Sequence, residues 1–159
     1  VLPYAGGCEA PVPPDLAEIT ARHAKVTGRG LPYLVAEADR RVLGYAYAAP
    51  FRDRPAYRYS LEDSVYVAPE TVGRGVGAAL MAELIERCAA LGYRQMIAVI
   101  GDSANAASIG LHRKMGFEMA GCLASSGYKF GRWVDSVYMR RPLGPGDSTP
   151  PGALGGAQT

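Results

Sequence analysis

Apolar positions along this chain repeat with two periods, and each change of period falls at a glycine, a proline or a short polar turn. Leu16, Ile19, His23 and Val26 follow at helical spacing. Asp15, three residues before Glu18, gives a capping-box start with Asp in place of Ser or Thr, and Gly28 and Gly30 end the helix. Leu31–Ala38 and Arg41–Ala49 read as strands joined by the tight turn Asp39-Arg40, which predicts an antiparallel hairpin. Phe51–Tyr59 is a loop rich in Arg and Tyr, and Glu62–Val67 is a further strand.

The middle of the chain changes register again. Val76, Leu80, Leu84, Cys88 and Leu91 mark one face of a helix, Glu83 and Arg87 pair on its surface, and Gly92 closes it. Arg94–Ile100 is a nearly continuous apolar run, which predicts a strand buried on both faces. Strand, glycine loop, helix and strand have the form of a crossover, so Glu62–Val67 and Arg94–Ile100 are expected to run parallel. Asn105–Met115 is a shorter helix stopped by Gly116. Glu118–Leu123 is a strand, Tyr128–Arg132 a loop, and Trp133–Met139 the last strand. The expected fold class is α+β, with antiparallel strands feeding one central crossover.

Length and composition narrow this picture. The 159 residues suit one domain, and 48% hydrophobic with 20% charged residues is ordinary for a globular chain. A net charge of +2 is too small to argue for nucleic acid, and no apolar run has the length of a membrane span. Cys8, Cys88 and Cys122 lack metal-site spacing and read as reduced, buried thiols, which suits a cytoplasm-like compartment. No metal is expected. The segment from Gly144 is rich in Gly, Pro and small residues, so residues 1–143 are read as the domain and 144–159 as a flexible tail.

The most informative stretch is SVYVAPETVGRGVGAAL, Ser64–Leu80. Gly73, Gly75 and Gly77, with Arg74 among them, let the backbone approach an anion closely, and the following helix adds oriented N–H donors. A GxxxxGK[ST] phosphate loop is absent. Gly73, Gly75 and Ala78 match a dinucleotide fingerprint on spacing alone, without a second βαβ unit or a ribose-binding acid.

VYVAPETVGRGVGAAL resembles the acetyl-CoA motif of the GNAT superfamily of N-acetyltransferases, in which a loop (R/Q)-x-x-G-x-(G/A) wraps the coenzyme A pyrophosphate. Its positions here are Val72, Gly75 and Gly77, and Val72 departs from the usual Gln or Arg. The resemblance extends to Asn105-Ala106-Ala107-Ser108-Ile109-Gly110-Leu111-His112-Arg113-Lys114-Met115-Gly116-Phe117, similar to a second block of the family. Tyr57–Val67, Ala98–Gly101 and Gly127–Asp135 are similar to the phosphinothricin N-acetyltransferase branch, and the likeness runs from about Leu31 to Leu143. Family members begin with a further strand and most of a helix, so an N-terminal β-α piece is expected to be missing from the chain as numbered.

The resemblance implies a mixed, mostly antiparallel GNAT-like sheet around the crossover, and acetyl transfer from acetyl-CoA to the α-amine of a small amino-acid-like substrate such as phosphinothricin, methionine sulfone or methionine sulfoximine. Val65, Tyr66 and Val67 would pair with the pantetheine arm, and the N–H near Val67 is the candidate oxyanion donor. Val72, Gly73, Arg74, Gly75, Val76, Gly77 and Ala78 would hold the pyrophosphate, with contacts from Asn105 and Ser108. Asn105 also reads as a helix cap. Glu62 occupies the presumed base position, against the plainer reading of a surface carboxylate. His112 stands where many members carry a tyrosine acid; it reads either as an acid or base or as a helix histidine that orients the cofactor. Arg52, Arg54, Tyr57 and Tyr59 suit an anionic acceptor, as do Lys129, Arg132 and Trp133. Tyr45 and Tyr47 read as core or interface. Two other readings stand beside this one, a protein or peptide N-terminal acetyltransferase and a non-catalytic acyl-CoA-binding domain. A homodimer is plausible from the late strands.

Overall fold

The computed structural model describes residues 14–152 and 154. Cys8 and the opening segment before Pro14 lie outside the described residues. Three helices and six strands follow in the order α1 (Leu16–Thr27), β1 (Tyr33–Ala38), β2 (Arg41–Pro50), β3 (Ser60–Val67), α2 (Val76–Ala90), β4 (Gln95–Gly101), α3 (Ala106–Lys114), β5 (Glu118–Lys129) and β6 (Arg132–Pro142). The strands form one sheet in the order β1-β2-β3-β4-β6-β5. Every neighbouring pair is antiparallel except β3 with β4. This is the α+β arrangement with one central crossover that the alternation predicts. No helix among the described residues is long and apolar enough to cross a membrane.

α1 starts as its sequence asks, with the Asp15 carboxylate accepting from the Glu18 N–H at 2.8 Å. α2 turns Leu80, Met81, Leu84, Ile85 and Cys88 inward, into a core that includes Ala46, Ala48 and Leu61 of the sheet and Met139 of β6. Gly44 is needed in β2: a Cβ there would meet the Tyr66 carbonyl at 2.6 Å and Leu80 at 3.2 Å.

Three sequence expectations are corrected. Instead of burying both faces, β4 buries Met96, Ala98 and Ile100, while Gln95, Ile97 and Val99 are half-buried. The reason is coverage: α1 lies against β1 and β2 and does not extend over β4. The last hairpin is longer than its apolar pattern suggests. Its strands meet at the two-residue turn Phe130-Gly131, both in the left-handed region (φ 52° and 75°), so Tyr128 and Lys129 belong to β5 rather than to a loop. β5 is an exposed edge strand, so no buried stripe marks it in the sequence. Cys122 lies on it and is exposed, whereas Cys88 is buried as expected. At the start of the C-terminal segment, Arg94 donates to the Gly146 carbonyl at 2.8 Å and to the Thr149 hydroxyl at 2.7 Å.

Candidate active site

The crossover is irregular in the way a ligand site requires. β3 and β4 pair only at Ser60–Glu62 with Gln95–Ile97. Beyond Glu62 the two strands part, although β3 runs on to Val67 and β4 to Gly101. β3 stays bonded to β2 on its other side as far as Val67. The side of β3 that faces away from β2, at Val65 and Val67, is therefore turned toward a wedge, where an amide-bearing chain can add itself as a strand.

The glycine loop closes one end of that wedge. Thr71 is buried and donates its hydroxyl to the Leu43 and Ala68 carbonyls at 3.1 and 2.9 Å, which anchors the loop at its entry. Val72 and Arg74 then face solvent. Gly73 and Gly75 adopt φ of 79° and 86°, which is where a side chain would be strained. Gly75 is the N-cap of α2, with no side chain capping the helix, and the first bond of the helix runs from the Ala79 N–H to the Gly75 carbonyl at 3.0 Å. The N–H groups of Val76, Gly77 and Ala78 are thus left for a ligand, at the positive end of the helix dipole. Gly77 has a further reason to be glycine: a Cβ would lie 3.2 Å from Leu111 of α3 and 3.3 Å from Val67 of β3. α3 begins nearby with Asn105, whose side-chain oxygen accepts the Ser108 N–H at 3.1 Å.

Alternation along β3 sends consecutive acids to opposite faces. Glu62 shares a face with Ser64 and Tyr66 and is half-buried. Burial, then the charge of Asp63, push its carboxyl above the ordinary value of 4.5, and Arg52 draws it back in part. Asp63 points the other way, into the interior, with its side chain 1% exposed. Its Oδ2 lies 3.0 Å from Nε2 of His112, while Nδ1 of the same ring lies 2.8 Å from the Ser108 carbonyl. His112 is therefore buried, with both ring nitrogens engaged. Burial pulls its pKa down, but the hydrogen bond and charge of Asp63 and the Ser108 carbonyl together raise it above 6.5.

The remaining candidates divide. Arg52 and Arg54 are exposed, and neither has an ion-pair partner among the described residues. Arg52 and Tyr57 both lie against Phe51. Tyr59 lines a separate cleft of about 470 Å³ with Arg94, Gln95 and residues 146–151. Arg132 pairs with Asp102, and Trp133 packs edge-on against Tyr128 at 5.3 Å. Sequence reading missed a feature on Glu62's own face. Tyr33, Tyr45, Tyr47 and Tyr66 stack there, with Tyr45 and Tyr66 4.7 Å apart and Tyr33 and Tyr47 5.1 Å apart. Strand parity was the signal that would have found it, because Ser64 pairs with Tyr47 and Tyr66 with Tyr45. Among the described residues no group of His, Cys, Asp and Glu could hold a metal ion.

A strand edge left open by a splayed parallel pair, ending at a bare helix N-terminus, fits a ligand with an amide-linked arm and a pyrophosphate, as in acetyl-CoA. Residues 7–117 match the acetyltransferase (GNAT) family, and the chain belongs to it. It is 59% identical over 140 residues to a phosphinothricin N-acetyltransferase of Alcaligenes faecalis, covering 88% of this chain and 71% of that protein. It is 45% identical to an L-methionine sulfoximine/L-methionine sulfone acetyltransferase of Pseudomonas paraeruginosa, covering 87% of this chain and 80% of that protein. The crystal structure of a GNAT superfamily phosphinothricin acetyltransferase from Sinorhizobium meliloti in complex with AcCoA superposes with a TM-score of 0.88 at 50% identity, covering 95% of this chain and 81% of that one. The chain is an acetyl-CoA-dependent N-acetyltransferase.

Proposed function

We propose that this enzyme acetylates the primary α-amine of a small amino acid carrying a second anionic or strongly polar group, of the phosphinothricin, methionine sulfone or methionine sulfoximine type. The observation that carries this reading is Glu62: half-buried, at the last rung before the wedge opens, within the field of Arg52. An amine attacks a thioester only when neutral, and a carboxylate with raised proton affinity suits its deprotonation, directly or through water. The neutral amine then attacks the thioester carbonyl, the oxyanion is met by an N–H near Val67, and as it collapses the C–S bond breaks, the proton that the nitrogen sheds passing to the departing thiolate to leave the amide and the free thiol. Backbone N–H groups at Gly73–Ala78 hold the pyrophosphate, Arg74 adds charge at the mouth, and Asn105 and Ser108 bound the wedge from α3. Arg52, Arg54 and Tyr57, in the segment between β2 and β3, receive the acceptor's anionic groups, whereas Tyr59 lines the separate cleft beside Arg94.

A cytoplasmic location, where acetyl-CoA is supplied, goes with this reading. The exposed β5–β6 hairpin, with Met119, Leu123, Phe130 and Trp133, is the surface we assign to a homodimer. The test is a thiol-release assay with acetyl-CoA across amino acids, including the three named acceptors and short peptides with free N-termini. Release with the small amino acids supports the proposal, and release with peptides alone would replace it by a peptide N-terminal acetyltransferase.

A further inference from the structure

The sequence leaves His112 either as an acid or base or as an orienting helix histidine, and in the structure both ring nitrogens are engaged. The Ser108 carbonyl 2.8 Å from Nδ1 can only accept, so Nδ1 carries hydrogen. Nε2 then faces Asp63 Oδ2 at 3.0 Å, and one proton must lie between them, because two bare acceptors at that distance in the interior would repel. The other carboxylate oxygen of Asp63, Oδ1, is buried with no partner. A carboxylate this deep is tolerable only because its neighbour carries the proton it shares.

The location gives the pair its meaning. Asp63 is the first residue of β3 past the last rung of the β3–β4 ladder. There the backbone no longer joins strand to strand, and the Asp63–His112 bond joins β3 to α3 instead, across 49 residues of sequence. Phe117 closes on the ring edge-on at 5.0 Å, so the imidazole has one orientation. The next residue back along the strand is Glu62.

We propose that Asp63 is a positioning residue of the acetyl-transfer centre: by sharing one proton with His112 it holds the imidazole in a single tautomer and orientation, and it fixes α3 against β3 at the closed end of the wedge beside Glu62. This rests on the acetyl-transfer reading above. Other groups facing the pair do not compete for the proton. Cys88, from α2, has its thiol pushed up to about 12, by burial first and by Asp63 second, and stays neutral. Ser108 offers a carbonyl, with its hydroxyl 3.4 Å from Nδ1. Glu62 lies on the opposite face of the strand and looks toward Arg52.

Asp63→Asn separates positioning from bulk. The amide is close to isosteric and can donate to Nε2 of a neutral ring, so packing and one hydrogen bond survive while the shared proton is lost. Nitrogen NMR of the imidazole reads the pair without substrate. In the wild-type enzyme both nitrogens of His112 should be protonated at pH 6.5 and titrate above it, and in D63N Nε2 should be unprotonated at pH 6.5. Turnover should fall about 10-fold or more, with a smaller change in KM for acetyl-CoA, because the pyrophosphate grip lies at the other end of the wedge. His112→Gln should lose a similar factor, and the double variant should lose no more than either alone.

A wild-type His112 that titrates at or below 6.5, a D63N enzyme with unchanged turnover, or additive losses in the double variant would each overturn the proposal. The wild-type NMR arm decides even if the variants fail to fold. Absence of turnover by the wild-type enzyme with every amine would instead overturn the acceptor reading, leaving the NMR result to stand.

Discussion

Glu62 and Asp63 are consecutive residues of β3 that serve opposite faces of the sheet: Glu62 half-buried beneath the field of Arg52, Asp63 wholly buried against His112. The ladder to β4 ends between them, so the base candidate and the strut that holds α3 are neighbours in the chain. Glu62→Gln tests the first half of this division. Removing the proton acceptor should lower turnover by about 100-fold to 10,000-fold. Affinity for acetyl-CoA, measured by calorimetry, should stay within about twofold, because the proposed pyrophosphate grip is the backbone of the glycine loop at the other end of the wedge. Unchanged turnover would remove Glu62 from the mechanism.

The acid limb of kcat/KM should report the charges around Glu62. Its carboxyl is raised above 4.5, so base function is present above that raised value and lost as pH falls through it. Arg52 lowers the same pKa. Arg52→Gln should therefore move the acid limb to higher pH and raise KM for an anionic acceptor. D63N removes a raising charge and should move the limb the other way. Steady-state kinetics across pH, with acetyl-CoA saturating, measures both shifts.

Much of this was readable from the chain. The glycine loop, the crossover and the caps of α1 and α3 are local features, and the structure has them where the residues put them. The β5–β6 hairpin was read short because nine successive residues, Glu118–Ser126, are exposed, so no buried stripe distinguishes strand from loop. The Asp63–His112 bond was invisible for another reason: parity says that Glu62 and Asp63 diverge, but only the placement of α2 and α3 says which of them is inside. The tyrosine face was legible by parity and was missed because aromatic stripes most often mark a core.

The loop's grip should depend on backbone conformation more than on its first side chain. Gly75→Ala forces a φ of 86° on a residue with a Cβ, at a cost on the order of 1–3 kcal/mol. Stability in urea should fall by that amount and KM for acetyl-CoA should rise. Val72 is 63% exposed, and Val72→Gln, which restores the residue the family usually carries there, should leave both quantities within about twofold of wild type.

Arg94 offers a test of where the domain ends. Its guanidinium holds Gly146 and Thr149, and its own carbonyl accepts from the Leu143 N–H at 3.0 Å. Arg94→Ala leaves that backbone bond and removes the side-chain ones. Limited proteolysis should then cut within 145–151 faster than in wild type, with turnover unchanged. If the segment from Gly144 is already a free tail in solution, the variant and the wild type will be cut at the same rate.

The buried pair also ties stability to pH, with a definite sign. The pKa of His112 is raised above 6.5 in the folded protein. The folded state thus binds the proton more tightly than the unfolded chain, and the stabilisation is fully present below 6.5. It fades as pH rises from there and is gone once pH passes the raised folded value, where a carboxylate and a neutral imidazole would face each other without a proton. Urea unfolding between pH 6 and pH 9 should show wild-type stability declining over this window. In D63N the amide satisfies the neutral ring at every pH, so the slope should flatten. A wild-type curve as flat as that of D63N would mean that no shared proton stabilises the fold.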